Sequence, residues 1–337
     1  MNATRCSVHL RLITLMAVWM CSTVAWSQHP AGRSQHAAAF DYAHKMMLVF
    51  GGSRHYKNPQ LDSTLDASLW GWDGSWHLLS SNGPSLRDDA KLACDKNGTC
   101  YLIGGRIDGK AVNEFWIWNG TSWMRIAQTG GPGKRLHSNI TYDYDRHRIV
   151  LFGGIEIDSL NKSHFKNDIW EWNGSEWQEI RFSGGPSPRF ATSMVYSPAF
   201  RRTLIIGGIN EKEQYFQEVW SWDGNKFELL SNKLPKLETG QGNAVCMDKG
   251  SNPRILYFGR ERDEDDSIVQ PDTWLWNGLH WDKLEPKKTP GKRELHMMVY
   301  DPGKDQVILF GGNGRKESNF QNPDDVWVFN SQWILQK

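Results

Sequence analysis

The stretch Trp170-Glu171-Trp172-Asn173-Gly174-Ser175-Glu176-Trp177 holds three tryptophans in eight residues, and five related stretches occur in the same chain. They are Trp70-Gly71-Trp72 with Trp76, Trp116-Ile117-Trp118 with Trp123, Trp220-Ser221-Trp222 with Phe227, Trp274-Leu275-Trp276 with Trp281, and Trp327-Val328-Phe329 with Trp333. Sixteen of the eighteen tryptophans fall in this pattern, and only Trp19 and Trp26 lie outside it. A motif recurring about every fifty residues marks one supersecondary unit copied around an axis. Architecture is therefore read first, and function from what differs between copies.

Working outward from each Trp motif exposes three further marks. Upstream, an apolar run closes on di-glycine at Gly51-Gly52, Gly104-Gly105, Gly153-Gly154, Gly207-Gly208 and Gly311-Gly312; the fifth copy has Gly259-Arg260. Before that run sits a strand of small and apolar residues, as in His36 to Asp41 or Ser138 to Asp143. Before that strand an arginine recurs at Arg33, Arg87, Arg135, Arg189 and Arg293, with Thr239 in the fifth copy. Each unit thus predicts four strands. Period-2 spacing puts both residues of Trp-x-Trp on one face. The Asp-Gly or Asn-Gly that follows predicts a tight hairpin with positive-φ residues, which returns the last Trp (Trp76, Trp123, Trp177, Trp281, Trp333) alongside.

The arginine before the first strand, the di-glycine after the second and the Trp at the fourth resemble the kelch repeat. The resemblance spans roughly residues 33 to 337. It implies an all-β, six-bladed β-propeller, four antiparallel strands per blade, with blades at about 33–86, 87–134, 135–188, 189–238, 239–292 and 293–337. Such propellers include the central domain of galactose oxidase. Trp-x-Trp replaces the tyrosine common in the third kelch strand, which is similar to a tryptophan-rich variant of exported proteins. Each blade is contiguous in the chain, so ring closure is expected from blade 1 packing on blade 6. Cys94 and Cys246, in opposite blades, are then too far apart to bridge.

The repeated tryptophans are read as packing between blades. A buried aromatic removes about 150–250 Å² from water, worth roughly 4–6 kcal/mol at ~25 cal/mol/Å². Copies that differ elsewhere keep these residues, as packing requires and a single binding site does not. The repeated arginines are read as guanidiniums bonding to loop carbonyls.

The termini and charges set the compartment. Arg5 and Arg11 precede the mostly apolar run Leu12 to Trp26, which ends in Ala25-Trp26-Ser27. That predicts a signal peptide over 1–27, a mature single domain over 28–337, and secretion or export to the periplasm. With 39 basic and 38 acidic residues the net charge is +1, falling to −1 once the leader is removed. Mean hydropathy is −0.59. Nothing here favours nucleic acid, and no membrane span is expected after cleavage. Cys94 and Cys100 flank the turn Asp95 to Thr99, and two readings stand, a cross-strand disulfide or two small apolar residues; Cys246 is left over.

Function is placed on the loop face of the disc. The loops after di-glycine offer Arg54, His55, Arg106, Glu156, Asn210, Arg260, Arg262, Asn313 and Arg315. The loops entering the innermost strands offer Gln35, Asp89, His137, Phe190, Gln241 and Glu294. Arginine, acid, amide and aromatic groups together suit a polar ligand or a protein hot spot. The expectation is a monomeric domain that binds a protein or an extracellular glycan, with blade 5 as the first place to look. No cofactor, metal or catalytic residue is expected. His36 and His296, at one repeat position in adjacent blades 1 and 6, could sit close together, and are read more simply as capping the strand entry than as a metal pair. The alternatives are a propeller enzyme acting on a sugar or another small molecule, and a structural part of a surface assembly.

Overall fold

The computed structural model describes residues 29–54, 65, 67–127, 130–234, 243–248, 251–259, 271–316 and 319–336. Every regular element among them is a β-strand, and the strands form a six-bladed propeller. Blade 1 is Ala37–Asp41, Met46–Phe50, Leu69–Trp72 and Trp76–Ser80; blade 2 is Lys91–Cys94, Cys100–Ile103, Phe115–Trp118 and Trp123–Ile126. Blade 3 is Asn139–Asp143, Arg148–Ile157, Ser163–Trp172 and Trp177–Ile180; blade 4 is Ser193–Ser197, Arg202–Ile206, Val219–Trp222 and Phe227–Ser231. Blade 5 is Asn243–Cys246, Ile255–Gly259, Asp272–Trp276 and Trp281–Leu284; blade 6 is Met297–Asp301, Gln306–Phe310, Val326–Asn330 and Gln332–Leu335. In each blade the chain runs from the innermost strand outward by antiparallel neighbours.

The core sits between the blades. Six hydrophobic clusters each draw on two neighbouring blades, and together they go right round the ring. The aromatic of the outermost strand meets the second- or third-strand Phe of the preceding blade edge to face. Trp76 lies 4.9 Å from Phe310, Trp177 5.4 Å from Phe115, and Trp333 5.2 Å from Phe258. Such pairs add to area burial because the ring edge is positive and the ring face negative. The tryptophans are mortar, as their regularity implied.

Di-glycine junctions join blade 1 to blade 2, blade 3 to blade 4 and blade 6 to blade 1. Gly51 and Gly52 have φ of 69° and 102°, and a Cβ on Gly51 would lie 2.3 Å from the carbonyl oxygen of Arg87 in the next blade. That close approach lets the Gly52 N–H donate to Arg87 O at 2.8 Å. The same bond joins Gly154 to Arg189, and Gly312 to Arg33 at 2.9 Å, which closes blade 6 onto blade 1. No strand is shared between the two. Each repeated arginine then donates from Nη1 to the first glycine of its own blade: Arg33 to Gly51, Arg87 to Gly104, Arg135 to Gly153, Arg189 to Gly207 and Arg293 to Gly311. These are buried guanidiniums on loop carbonyls, in keeping with the sequence reading.

Two local expectations are corrected. The turn after Trp-x-Trp is not a two-residue hairpin with both residues at positive φ. Trp118 pairs with Trp123, and only Gly120 is left-handed, while Asn119 Oδ1 accepts the N–H groups of Thr121 and Ser122. An Asx-type cap therefore shapes a longer loop. In blade 3, di-glycine does not end the second strand. The ladder shifts register between Phe152 and Gly154 and continues to Ile157, so both middle strands run ten residues. A bulge carries pairing past a glycine pair when there is more strand to pair beyond it.

Arg189→Ala should lower stability by about 3 kcal/mol, since it strips a buried donor set from Gly207, Ser187 and Glu218. Arg189→Lys should recover little, because an ammonium cannot reproduce the planar fork. Urea unfolding of both variants checks this, and a wild-type midpoint for the lysine variant would refute the clamp.

Candidate functional site

All second strands deliver their di-glycine to one end of the disc, and the chain re-enters each innermost strand at the same end. There the residue two after each arginine is left-handed: Gln35, Asp89, His137, Ala191 and Leu295 have φ between 53° and 57°. All five are linked to a neighbouring blade, by bonds from Gln35 N–H to Leu295 O, Asp89 N–H to Gln35 O, and Ala191 N–H to His137 O. Between blades 2 and 3 the link is a side chain, with the Asp89 carboxylate accepting the His137 N–H. From blade 6 round to blade 4 the rim of the channel on this face is thus a hydrogen-bonded arc. The side chains on it differ from blade to blade.

Among the described residues, blades 2 to 4 hold the densest group of differing side chains. Arg106 makes a two-pronged bond to Asp88 at 3.0 and 2.9 Å. The buried Asp89 carboxylate meets Lys91 Nζ at 2.8 Å and His137 Nδ1 at 3.4 Å. Burial alone would raise its pKa, but His137 and Lys91 hold it well below the usual carboxylate range. The His137 ring lies 5.9 Å from Phe190, and Phe190 lies 5.6 Å from Phe165 on the long third strand of blade 3. All three rings are half-buried, stepping across the junction of blades 3 and 4. Glu156 faces Lys166 at 3.1 Å and Arg135 at 3.9 Å.

The remaining candidate residues divide. Asn210 caps its own turn by accepting the N–H groups of Lys212 and Gln214. Asn313 reaches Glu294 at 3.4 Å. Arg54 is half-buried at the edge of blade 1. His55, Gln241, Arg260, Arg262 and the side chain of Arg315 lie outside the described residues, and with them most of the blade 5 loop. Phe165 and Lys166 were missed by sequence reasoning, because di-glycine was read as a strand end. A second omission is structural. An acid stands two residues before the first Trp in copies two to six, at Glu114, Asp168, Glu218, Asp272 and Asp325. In blades 2, 3, 4 and 6 it takes both the guanidinium and the indole N–H, as Glu218 does from Arg189 at 2.8 Å and Trp220 at 2.7 Å. In blade 5, which lacks the arginine, Lys283 pairs with Asp272 instead.

The central channel encloses about 430 Å³ and is lined by all six innermost strands. Toward the opposite face its wall becomes aromatic, with Tyr144 lying 5.5 Å from both Tyr42 and Tyr196. Small residues such as Ala38, Ala93 and Ser193, with apolar ones such as Leu92, Met194 and Met298, line the rest. Cys94 is bonded to Cys100 directly opposite it in blade 2, so of the two readings the disulfide is the one realised. Cys246 has no such partner, and burial pushes its thiol pKa up.

A family model described as the KLHDC2/KLHL20/DRC7 Kelch-repeats domain matches residues 8–197. The chain belongs to the kelch-repeat family. It is 21% identical over 290 residues to an F-box/kelch-repeat protein of Arabidopsis thaliana, covering 77% of this chain and 56% of that protein. It is 20% identical over 283 residues to Mei4-dependent protein 6 of Schizosaccharomyces pombe, covering 75% of this chain and 40% of the relative. The chain therefore spans about half the length of the curated relatives it matches. Among solved structures, that of YjhT superposes with a TM-score of 0.67 at 14% identity, covering 92% of this chain and 99% of YjhT. That likeness shows the propeller fold.

In this kelch ring His36 and His296 do not face each other across one junction. The His36 ring packs on Phe310, 5.4 Å away between blades 6 and 1, and His296 packs on Phe258, 5.3 Å away between blades 5 and 6. Among the described residues no three His, Cys, Asp or Glu side chains gather where a metal ion would be held. Burial, with Arg33 and His296 nearby, lowers His36 from 6.5 to about 3; burial with Arg293 lowers His296 likewise to about 3. Between pH 6.5 and 3 the unfolded chain binds two protons that the folded ring excludes. Their contribution is complete above pH 6.5 and is lost on acidification, with a slope of about 1.4 kcal/mol per pH unit for each histidine. Urea melts of wild type and a His36→Phe/His296→Phe variant between pH 7 and 4 should show a shallower acid decline in the variant. Parallel curves would mean the histidines are not the buried neutral groups described.

Proposed function

We propose that this kelch propeller is an exported interaction module whose partner docks on the di-glycine face over blades 2 to 4. The kelch propeller fold itself suggests a protein-interaction module. The observation that carries the location is the row His137, Phe190 and Phe165, three half-buried rings side by side at a hydrogen-bonded rim. Aromatic side chains held rigid on a frame give contact area at small entropic cost. The charges around them, Arg106 with Asp88 and Lys91 with Asp89, already have partners, so the rings are flanked by polar groups that are not left unpaired when a ligand leaves. Among the described residues no helix is long and apolar enough to cross a membrane.

Affinity capture from native extracellular material, with a Phe190→Ala/His137→Ala bait as control, tests the site. The variant should melt like wild type and hold the captured species at least about tenfold less tightly. Equal recovery on both baits would remove the face from consideration, and competition by soluble glycan would identify the ligand as a glycan and not a protein. Export is supported by the leader read in residues 1–27. Mass spectrometry of the protein from culture medium or periplasm should find Gln28 as the first residue; an intact Met1 form confined to the cytosol would refute it.

A further inference from the structure

The blade 3 hairpin runs unbroken past its di-glycine, where blades 2 and 6 carry separate short hairpins. Beyond the bulge, Leu136 pairs with Ile155 and Ile155 with Phe165. Residues directly opposite in antiparallel strands share a face, as do residues two apart, so Leu136, Ile155, Phe165 and Ile157 line one side. The contact of Phe165 with Phe190 turns that side toward blade 4. All five side chains are half-buried, neither core nor free surface, and they form a shelf along the hairpin. The opposite side carries Glu156, His164 and Lys166, which are matched in pairs: Glu156 with Lys166, and His164 with Asp158 at 2.9 Å.

The tip of the hairpin is fixed. Asp158 Oδ1 accepts the N–H groups of Leu160 and Lys162 at 2.8 and 2.9 Å, and this turn leaves Leu160 73% exposed. Charges around the shelf are unevenly matched. The exposed Lys162 at the tip and Lys134, whose carbonyl accepts the Ile157 N–H, make no ion pair among the described residues. On the blade 4 side, the turn beside Phe190 carries the exposed Glu211, Lys212 and Glu213, a net negative group. An apolar strip thus runs between a positive end and a negative end.

We propose that this shelf takes an extended peptide segment of a partner protein, with alternate apolar residues at its centre, carboxylates toward the hairpin tip and a cation toward blade 4. The proposal deepens the interaction-module reading above and rests on it. An extended chain repeats its side chains about every 6.8 Å on one face, the same spacing as Ile155 and Ile157. The matched pairs on the back of the hairpin attract no charge, whereas the two unpaired lysines do.

Selection of phage-displayed random twelve-residue peptides on the full chain tests it. Wild type should enrich peptides with alternating apolar residues and acidic residues at one flank. Lys134→Glu/Lys162→Glu, which alters only exposed side chains, should bind those peptides about tenfold less tightly and select basic flanks instead. Phe165→Ser should lose them without that inversion, and wild-type melting for both variants separates lost binding from lost fold. Peptides whose binding is indifferent to both variants but lost in Phe190→Ala/His137→Ala would overturn the hairpin shelf and leave the interaction module standing. No enrichment over an unrelated propeller would overturn both.

Discussion

The rest of the ring depends on a contact between backbone groups that recurs at the junctions of blades 1 and 2, 3 and 4, and 6 and 1. The second glycine of a blade gives its N–H to the carbonyl of the next blade's arginine, while that arginine turns its guanidinium back to its own di-glycine. A side chain at the first glycine would occupy the space of the neighbouring carbonyl, so the bond exists only because the position is glycine. Buried N–H and C=O groups at strand ends are costly unless paired. Here the next blade pairs them. Closure follows from the same contact, since Gly312 and Arg33 repeat it between the last blade and the first.

The acid before each Trp-x-Trp extends this junction into the blade. Asp168 takes the Arg135 fork and the Trp170 indole together, so one carboxylate ties the loop clamp to the hydrophobic interface. Blade 5 shows what happens without the arginine. Its Asp272 turns to Lys283 on the outermost strand, and the Trp274 indole N–H is left without a partner. The scaffold tolerates the exchange because the interblade packing of Trp276 and Trp281 is retained. With the frame carried by repeated residues, loops can vary at little cost to the fold. Blade 3 uses this latitude, running its hairpin past the bulge.

How far each feature could be read from the chain depends on whether it repeats. Trp118, Gly104 and Arg87 sit where a six-fold pattern sets them, and the structure puts them in the roles that pattern implied. Glu114 belongs to the same pattern and was legible, but an acid near a strand start also looks like ordinary surface charge. The blade 3 bulge was not legible, since Gly153-Gly154 reads the same as the di-glycines that do end strands. Asn119 and its loop were misread because Asn-Gly fits several turns, and the chosen one depends on the separation of Trp118 and Trp123.

By itself the sequence determined the number of blades, the strand order within each and the residues that pack between them, because these rest on periodicities of two along a strand and about fifty along the chain. Only the tertiary structure decided which varied side chains stand together. Phe165, Phe190 and His137 come from three separate segments and meet only once blades 3 and 4 are docked. It also set His36 and His296, which share a repeat position, against different junctions. Local pattern sets which face of a strand a residue occupies. The blade packed against that face sets its neighbours, and that is a property of the closed ring.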